Sequence, residues 1–183
     1  MTARITAKEY WGTYQGQDVF IYKLGNASGT LVTVTNFGAT ITGIETKDAT
    51  GNLADIALGY DKLQDYIDDH QNYMGCIVGR FANRIAGGSV ELDGEKYQLT
   101  VKDGGFHHHG GKVGFKRKMW NVIDVDDKSI KLNYIRPDGE EGFPGELNVS
   151  VTYTLNESNH LLVSYEATTD KTTLLNLTQH TYF

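Results

Sequence analysis

Apolar and polar side chains alternate along much of this sequence, and this alternation limits the folds open to the chain. The clearest run spans residues 147–155, where Leu, Val, Val, Tyr and Leu alternate with Asn, Ser, Thr and Thr. A period of two places successive side chains on opposite faces of a sheet, so that one face can be buried. Similar runs cover residues 19–24, 31–35, 39–46, 130–134 and 161–167. Short strands at this spacing predict an all-β fold, either a sandwich or a barrel.

One segment departs from the period of two. Residues 61–69 carry apolar side chains at Leu63, Tyr66 and Ile67, which fits one face of a helix. Asp61 precedes them, and Asp is a favoured residue for capping a first helical turn. We therefore predict a single short helix at 61–69, capped by Asp61.

Composition excludes several classes of partner. The formal charge of −6 and the pI near 5.4 argue against nucleic acid, whose binders concentrate Lys and Arg on one face. No apolar stretch approaches the ~20 residues of a membrane span, and the N-terminus lacks a basic-then-apolar signal pattern. The sequence predicts a soluble, cytoplasmic protein. Cys76 is the only cysteine, so an internal disulfide is impossible, and its apolar neighbours indicate a core residue.

Three consecutive histidines, His107, His108 and His109, are the first candidates for chemistry. Neutral imidazole is a common metal ligand, but in an extended run His108 points away from the other two and no further ligand pattern accompanies them. A metal site, a structural role and a polar contact to substrate all stay open, and we favour the last. Gly110 and Gly111 follow at once, and glycine lets a backbone approach a ligand closely.

A second candidate segment contains two arginines and an asparagine between apolar residues at 79–85. Arginine and asparagine present donors that can meet hydroxyl oxygens in fixed directions. Pairing of the arginines with the many aspartates is the alternative, and we favour ligand binding by Arg84 with Asn83. The glycine-rich loop at 138–145 is chiefly typical of a hairpin, in which Glu140 or Glu141 could border a sugar site.

His180 is the third candidate. It lies among Thr178, Thr181 and Tyr182, and an imidazole can give or take a proton near neutral pH. Such a residue suits acid–base catalysis, while a histidine satisfied within the core is the alternative.

Taken in order, these segments resemble those of the aldose 1-epimerases, or galactose mutarotases. The matching stretches are the Asn-Phe-Gly-Ala turn at 36–39, the Val-Gly-Arg-Phe-Ala-Asn-Arg-Ile run at 78–85, His-Gly-Gly at 109–111 with Gly114, Phe115 and Trp120, the loop at 138–145, and Leu-Thr-Gln-His-Thr-Tyr-Phe at 177–183. The resemblance runs the whole length of the chain. It implies a large antiparallel β-sandwich, the galactose mutarotase-like supersandwich.

The resemblance also implies a reaction, the interconversion of the α and β anomers of free hexoses such as galactose or glucose. His180 would then be the general acid that protonates the ring oxygen. His109 and Arg84 would hold sugar oxygens and stabilise charge, and Asn83 would position the sugar. No metal and no cofactor is implied.

Family members resembling this chain continue well beyond the second histidine, with further strands and the glutamate that acts as base. We therefore expect residues 1–183 to be the N-terminal part of a single domain, apparently truncated, as a fragment or the product of an interrupted reading frame. Such a chain would be inactive by itself and could form homo-oligomers through exposed strand edges. The alternatives are a non-catalytic carbohydrate-binding module, a hexose-phosphate epimerase, or a remnant with a structural role.

Overall fold

The alternating segments form strands in the computed structural model, which describes residues 8–101 and 104–183. The strands are β1 (Lys8–Tyr14), β2 (Gln17–Gly25), β3 (Leu31–Thr35), β4 (Thr40–Lys47), β5 (Leu53–Asp55), β6 (Ile77–Val78), β7 (Arg84–Ala86), β8 (Ser89–Leu92), β9 (Glu95–Gln98), β10 (Phe106–His108), β11 (Asn121–Val125), β12 (Ser129–Arg136), β13 (Leu147–Leu155), β14 (Leu161–Thr169) and β15 (Thr178–Gln179). The helical elements described are α1 (Leu63–Asp68) and a 3-10 turn at Glu140–Gly142. The predicted all-β class is confirmed.

Two antiparallel sheets contain most of these strands. β1 to β5 form one sheet and β11 to β14 the other, each in chain order, so that neighbouring strands are joined by direct connections. β13 is paired along its whole length on both sides, with β12 and with β14. Three two-stranded pairs complete the architecture: β7 with β10, β6 with β15, and β8 with β9.

The core lies between the two large sheets. The apolar side chains of β13 are at most 1% exposed and belong to one cluster with residues of β2, β3 and β4, such as Leu24, Val34 and Ile41. Tyr153 of β13 also donates its hydroxyl to the carbonyl of Ala39 at 2.6 Å, which joins the sheets by a buried hydrogen bond. The two faces therefore pack as a sandwich, as the alternation and the resemblance both imply.

The helix forms a second, smaller cluster. Leu63 and Tyr66 of α1 pack with Val19 and Phe37, and Trp11 lies edge-on to the Tyr66 ring at 5.7 Å. The predicted cap at Asp61 is wrong, because the helix begins two residues later and Lys62 occupies its N-cap without a side-chain hydrogen bond. Across residues 8–101 and 104–183, the structure contains no helix with both the length and the apolar character needed to cross a membrane.

Removal of a buried β12 side chain tests the sandwich core. Leu132 is fully buried in the cluster between the sheets, while Ile135 on the same strand is 50% exposed. We expect Leu132→Ala to lower the free energy of unfolding by about 2–5 kcal/mol, because the cavity adds to the lost burial. Ile135→Ala is the matched control and should cost about 1 kcal/mol or less. Urea denaturation compares the two, and equal losses would contradict the assigned core.

Candidate functional site

Two imidazoles from distant parts of the sequence, His109 and His180, meet edge-on with their ring centroids 5.4 Å apart. His180 is brought there by β15, which pairs with β6 through Thr178 and Val78. The main chain of His180 is then fixed by two hydrogen bonds, from its N–H to the Cys76 carbonyl at 3.0 Å and from the Gly75 N–H to its carbonyl at 3.1 Å. The structure thus brings both sequence-predicted histidines together.

His109 is fixed through reciprocal hydrogen bonds with Asn83. The His109 N–H donates to the Asn83 carbonyl at 3.0 Å, and the Asn83 N–H donates to Nδ1 of the His109 ring at 3.1 Å. Because Nδ1 accepts from a backbone donor, the neutral ring carries its proton on Nε2. His109 is therefore held as a directed N–H donor.

The three consecutive histidines occupy three different environments. His107 is fully buried, with Nδ1 2.8 Å from the Thr100 carbonyl and its ring against Phe143. These contacts give His107 the structural role that was one of the alternatives. The expectation that His108 points away from His109 is wrong, since their ring centroids are 3.9 Å apart. β10 ends at His108, and His109 has a φ of 50°, so the alternation stops there. No group of three or more residues suited to bind a metal occurs among those described.

Asn83 and Arg84 lie at the exposed edge of the histidine pair. β7 begins at Arg84 and pairs with β10 at His108, and this register holds the two segments side by side. The Arg84 guanidinium donates to the Asn83 side-chain oxygen at 3.4 Å and lies 5.2 Å from the Phe106 ring. Both side chains are exposed, so their donors face solvent, as a sugar contact requires.

The other arginine of this segment has a structural role. Arg80 is fully buried and donates to the carbonyls of Pro144 at 2.7 Å and Gly145 at 2.8 Å, and to the Thr173 hydroxyl at 3.0 Å. Burial, together with the nearby charge of Arg136, lowers the pKa of Arg80 to about 10. The guanidinium is still charged at neutral pH and ties the loop at 138–145 to the segment that leads to His180.

Tyr73 is a site residue that the sequence analysis missed. Its ring is 6% exposed and lies 4.7 Å from the His109 ring and 5.9 Å from the His180 ring. Tyr73, Asn83 and His109 all have positive φ values, of 58°, 71° and 50°. Left-handed conformations of residues other than glycine cluster at functional sites, where the surroundings hold them in place. No period or motif around Tyr73 marks it in the sequence, since its contacts arise only from the tertiary fold.

The two acidic candidates of the 138–145 loop bind groups of the protein itself. Glu140 forms ion pairs with Lys118 and with Arg136. Glu141 accepts hydrogen bonds from the N–H groups of Lys112 at 3.1 Å and Val113 at 2.9 Å. Burial alone would raise the pKa of Glu141, but these hydrogen bonds, with one from the Thr100 side chain and the charge of Arg136, outweigh it and leave the pKa lowered. Both carboxylates therefore stabilise the loops behind the histidines.

Gly110 allows a close approach, but the group it approaches belongs to the protein. With a φ of 83°, it packs so tightly that a Cβ would lie 1.7 Å from the Gly79 carbonyl oxygen. A Cβ at Gly111 would lie 2.2 Å from a Glu141 carboxylate oxygen. Both glycines therefore allow close packing within the protein, Gly110 against the Gly79 main chain and Gly111 against the Glu141 side chain.

Alanine at Gly110 tests this close approach. We expect Gly110→Ala to lower the free energy of unfolding by more than about 2 kcal/mol, because a clash is added to the cost of a positive φ. Gly94, with a φ of 79° and no atom within 4 Å of the point that a Cβ would occupy, is the control. Gly94→Ala should cost only about 1–2 kcal/mol, because a positive φ is unfavourable for alanine but no clash is added. Urea denaturation measures both, and similar losses would refute the packing argument.

Cys76 is a core residue, as predicted, and its reactivity is testable. The side chain is 3% exposed, and burial raises the pKa of its thiol to about 12. The thiolate is the reactive form, so we expect no alkylation of the native chain by iodoacetamide at a pH of about 8. Mass spectrometry should detect labelling only after urea is added, and rapid labelling of the native chain would contradict this.

Comparison with known proteins shows what the chain is similar to. The aldose 1-epimerase family model matches residues 21–183. Galactose mutarotase of Sus scrofa is 45% identical over 152 residues, which are 83% of this chain and 44% of that protein. Aldose 1-epimerase of Escherichia coli K12 is 33% identical over 168 residues, covering 92% of this chain and 48% of that protein.

A solved structure shows the same fold. The crystal structure of galactose 1-epimerase from Lactobacillus acidophilus superposes with a TM-score of 0.86 at 30% identity, over 99% of this chain and 53% of that one. The chain thus spans about half the length of the relatives it matches. Because the family model covers nearly all of the sequence, the chain belongs to the aldose 1-epimerase family.

Proposed function

We propose that this chain binds free hexoses such as galactose or glucose at the His109–His180 pair, and that it carries the acid and the sugar-binding residues for interconversion of their α and β anomers. The observation that carries the proposal is the meeting of the two imidazoles at 5.4 Å, beside the exposed donors of Asn83 and Arg84. Residues separated by long stretches of sequence thus converge on one surface that carries several polar side chains.

The two imidazoles differ in a way that supports distinct roles. Nδ1 of His109 is occupied by the Asn83 N–H, so that ring offers an N–H donor toward a sugar oxygen. Among the described residues, the ring nitrogens of His180 have no hydrogen-bond partner, while its main chain is fixed on both sides. A ring with free nitrogens on a fixed backbone is suited to give and regain a proton.

Opening of a cyclic hemiacetal requires one group to remove the proton of the anomeric hydroxyl and another to protonate the ring oxygen. His180 would supply the proton to the ring oxygen, which avoids a charged alkoxide. His109 and Arg84 would donate to sugar oxygens on which charge develops, and Asn83 would orient the sugar. After rotation about the C1–C2 bond, the ring recloses on its other face and His180 recovers its proton.

The general base is proposed to lie outside the 138–145 loop. Glu140 and Glu141 are engaged by Lys118, Arg136 and two backbone N–H groups. The resemblance assigns the base to a glutamate beyond the second histidine. We therefore expect residues 1–183 to bind hexose and to accelerate mutarotation little or not at all. That they form the N-terminal part of a single domain, that they are cytoplasmic and that copies associate through strand edges stay predictions.

Galactose binding tests the assignment of the site. We expect saturable binding by the 183-residue chain, measured by NMR titration, and a loss of about tenfold or more in affinity for Arg84→Ala and for His180→Ala. His160→Ala is the matched control, since His160 is an exposed histidine in the loop after β13. Absence of saturable binding by the parent chain would contradict the proposal.

Polarimetry of freshly dissolved α-D-galactose then separates catalysis from binding. Binding without acceleration agrees with a missing base and also with a non-catalytic carbohydrate-binding module. Acceleration that disappears in His180→Ala would place both an acid and a base within these residues, contrary to our expectation for the base.

A further inference from the structure

We propose that Tyr73 is a positioning residue that sets the mutual orientation of the His109 and His180 rings. The effect of this orientation on sugar binding rests on the function proposed above. The Tyr73 ring contacts His109 at 4.7 Å and His180 at 5.9 Å, while those two rings are 5.4 Å from each other. The three rings form one mutually packed group, and aromatic rings at such distances prefer defined relative orientations.

The same residue also contacts the neighbouring histidine. His108 lies edge-on to Tyr73 at 6.0 Å, and its ring is tilted against the ring of His109 with the centroids 3.9 Å apart. With 6% exposure, the Tyr73 ring cannot stack on a sugar, so it is not a substrate contact. It fills the space beneath the imidazoles, and any substitution that empties this space lets the histidine rings turn.

The backbone around Tyr73 supports the same role. The Tyr73 carbonyl accepts the Cys76 N–H at 3.4 Å, closing a turn. Cys76 and Gly75 of this turn form the two hydrogen bonds that hold the His180 main chain. A single turn therefore fixes His180 twice, by its backbone and by the Tyr73 ring. The left-handed conformation of Tyr73, with a φ of 58°, is one that a bulky residue adopts only when its surroundings impose it.

A buried cation anchors the ring. The Lys116 ammonium lies 4.1 Å from the centroid of Tyr73 and donates to the Asp69 carbonyl at 3.1 Å, in a side chain that is 8% exposed. A cation within about 6 Å of a ring face is attracted by the electrons of the ring. This contact requires an aromatic side chain at position 73, which an aliphatic residue of similar volume cannot replace.

Tyr73→Phe and Tyr73→Leu separate the aromatic ring from bulk in the 183-residue chain. The readout is the NOE between ring protons of His109 and His180, together with galactose affinity from NMR titration. We expect Tyr73→Phe to retain the NOE and to bind within about twofold of the parent, and Tyr73→Leu to lose the NOE and to bind about tenfold more weakly or worse. Tyr10→Leu, an exposed tyrosine on β1, is the control and should match the parent in both.

Retention of both the NOE and the affinity in folded Tyr73→Leu would overturn the proposal. If that variant does not fold by circular dichroism, Lys116→Met carries the test, since it leaves position 73 unchanged and removes the ammonium over the ring together with its hydrogen bond to the Asp69 carbonyl. We expect it to weaken the NOE and to lower affinity about threefold or more, and an unchanged spectrum and affinity would overturn the proposal. If the parent binds no galactose, the proposed function fails, yet the NOE comparison still decides the role of Tyr73.

Discussion

Main-chain hydrogen bonds to one segment, residues 75–83, most of which is buried, hold the whole site together. On one side the Gly75 carbonyl accepts from Ile41 of β4 at 2.8 Å, and the Ile77 N–H donates to Gly38 in the turn before β4 at 3.0 Å. On the other side it forms hydrogen bonds with residues 176–180 and with the main chain of His109. Buried backbone groups must find partners, and here they find them in the segments that carry the histidines. The site geometry is therefore set by the same bonds that satisfy the interior.

This arrangement requires the charged side chain of Arg80 to be buried, which is energetically costly. Its guanidinium is the connection between the buried segment, the 138–145 loop and Thr173, and it is buried near a second buried arginine, Arg136. Within the described residues its Nε has no hydrogen-bond partner. A buried cation is tolerated because two carbonyls accept from it and the Phe143 ring lies 5.6 Å away. One arginine of the segment thus holds the loops behind the histidines, and Arg84 stays exposed beside them.

The sequence predicts the large sheets well and the small ones poorly. β13 occupies the residues whose alternation is clearest, because one face of a long strand is buried and the other is not. β6 and β15, each of two residues, have no such pattern, and their pairing joins positions about a hundred residues apart. His109 and His180 could be selected by residue type and by resemblance. Tyr73 could not, because its role depends on a tertiary contact, and the turn of His109 toward His108 depends on a left-handed φ that the strand pattern does not reveal.

The contrast between the two histidines follows from how each is held. His109 is fixed through its ring, which accepts a hydrogen bond from the Asn83 backbone N–H and so has a single direction for its own N–H. His180 is fixed through its main chain, with its ring oriented by packing against Tyr73, His109 and Tyr182. The hydrogen bond accepted by Nδ1 fixes the tautomer of the neutral His109 ring, whereas aromatic contacts orient the His180 ring without occupying its nitrogens. Under the proposed function, the aromatic residue buried beneath the pair would therefore set the orientation in which the His180 ring meets the sugar.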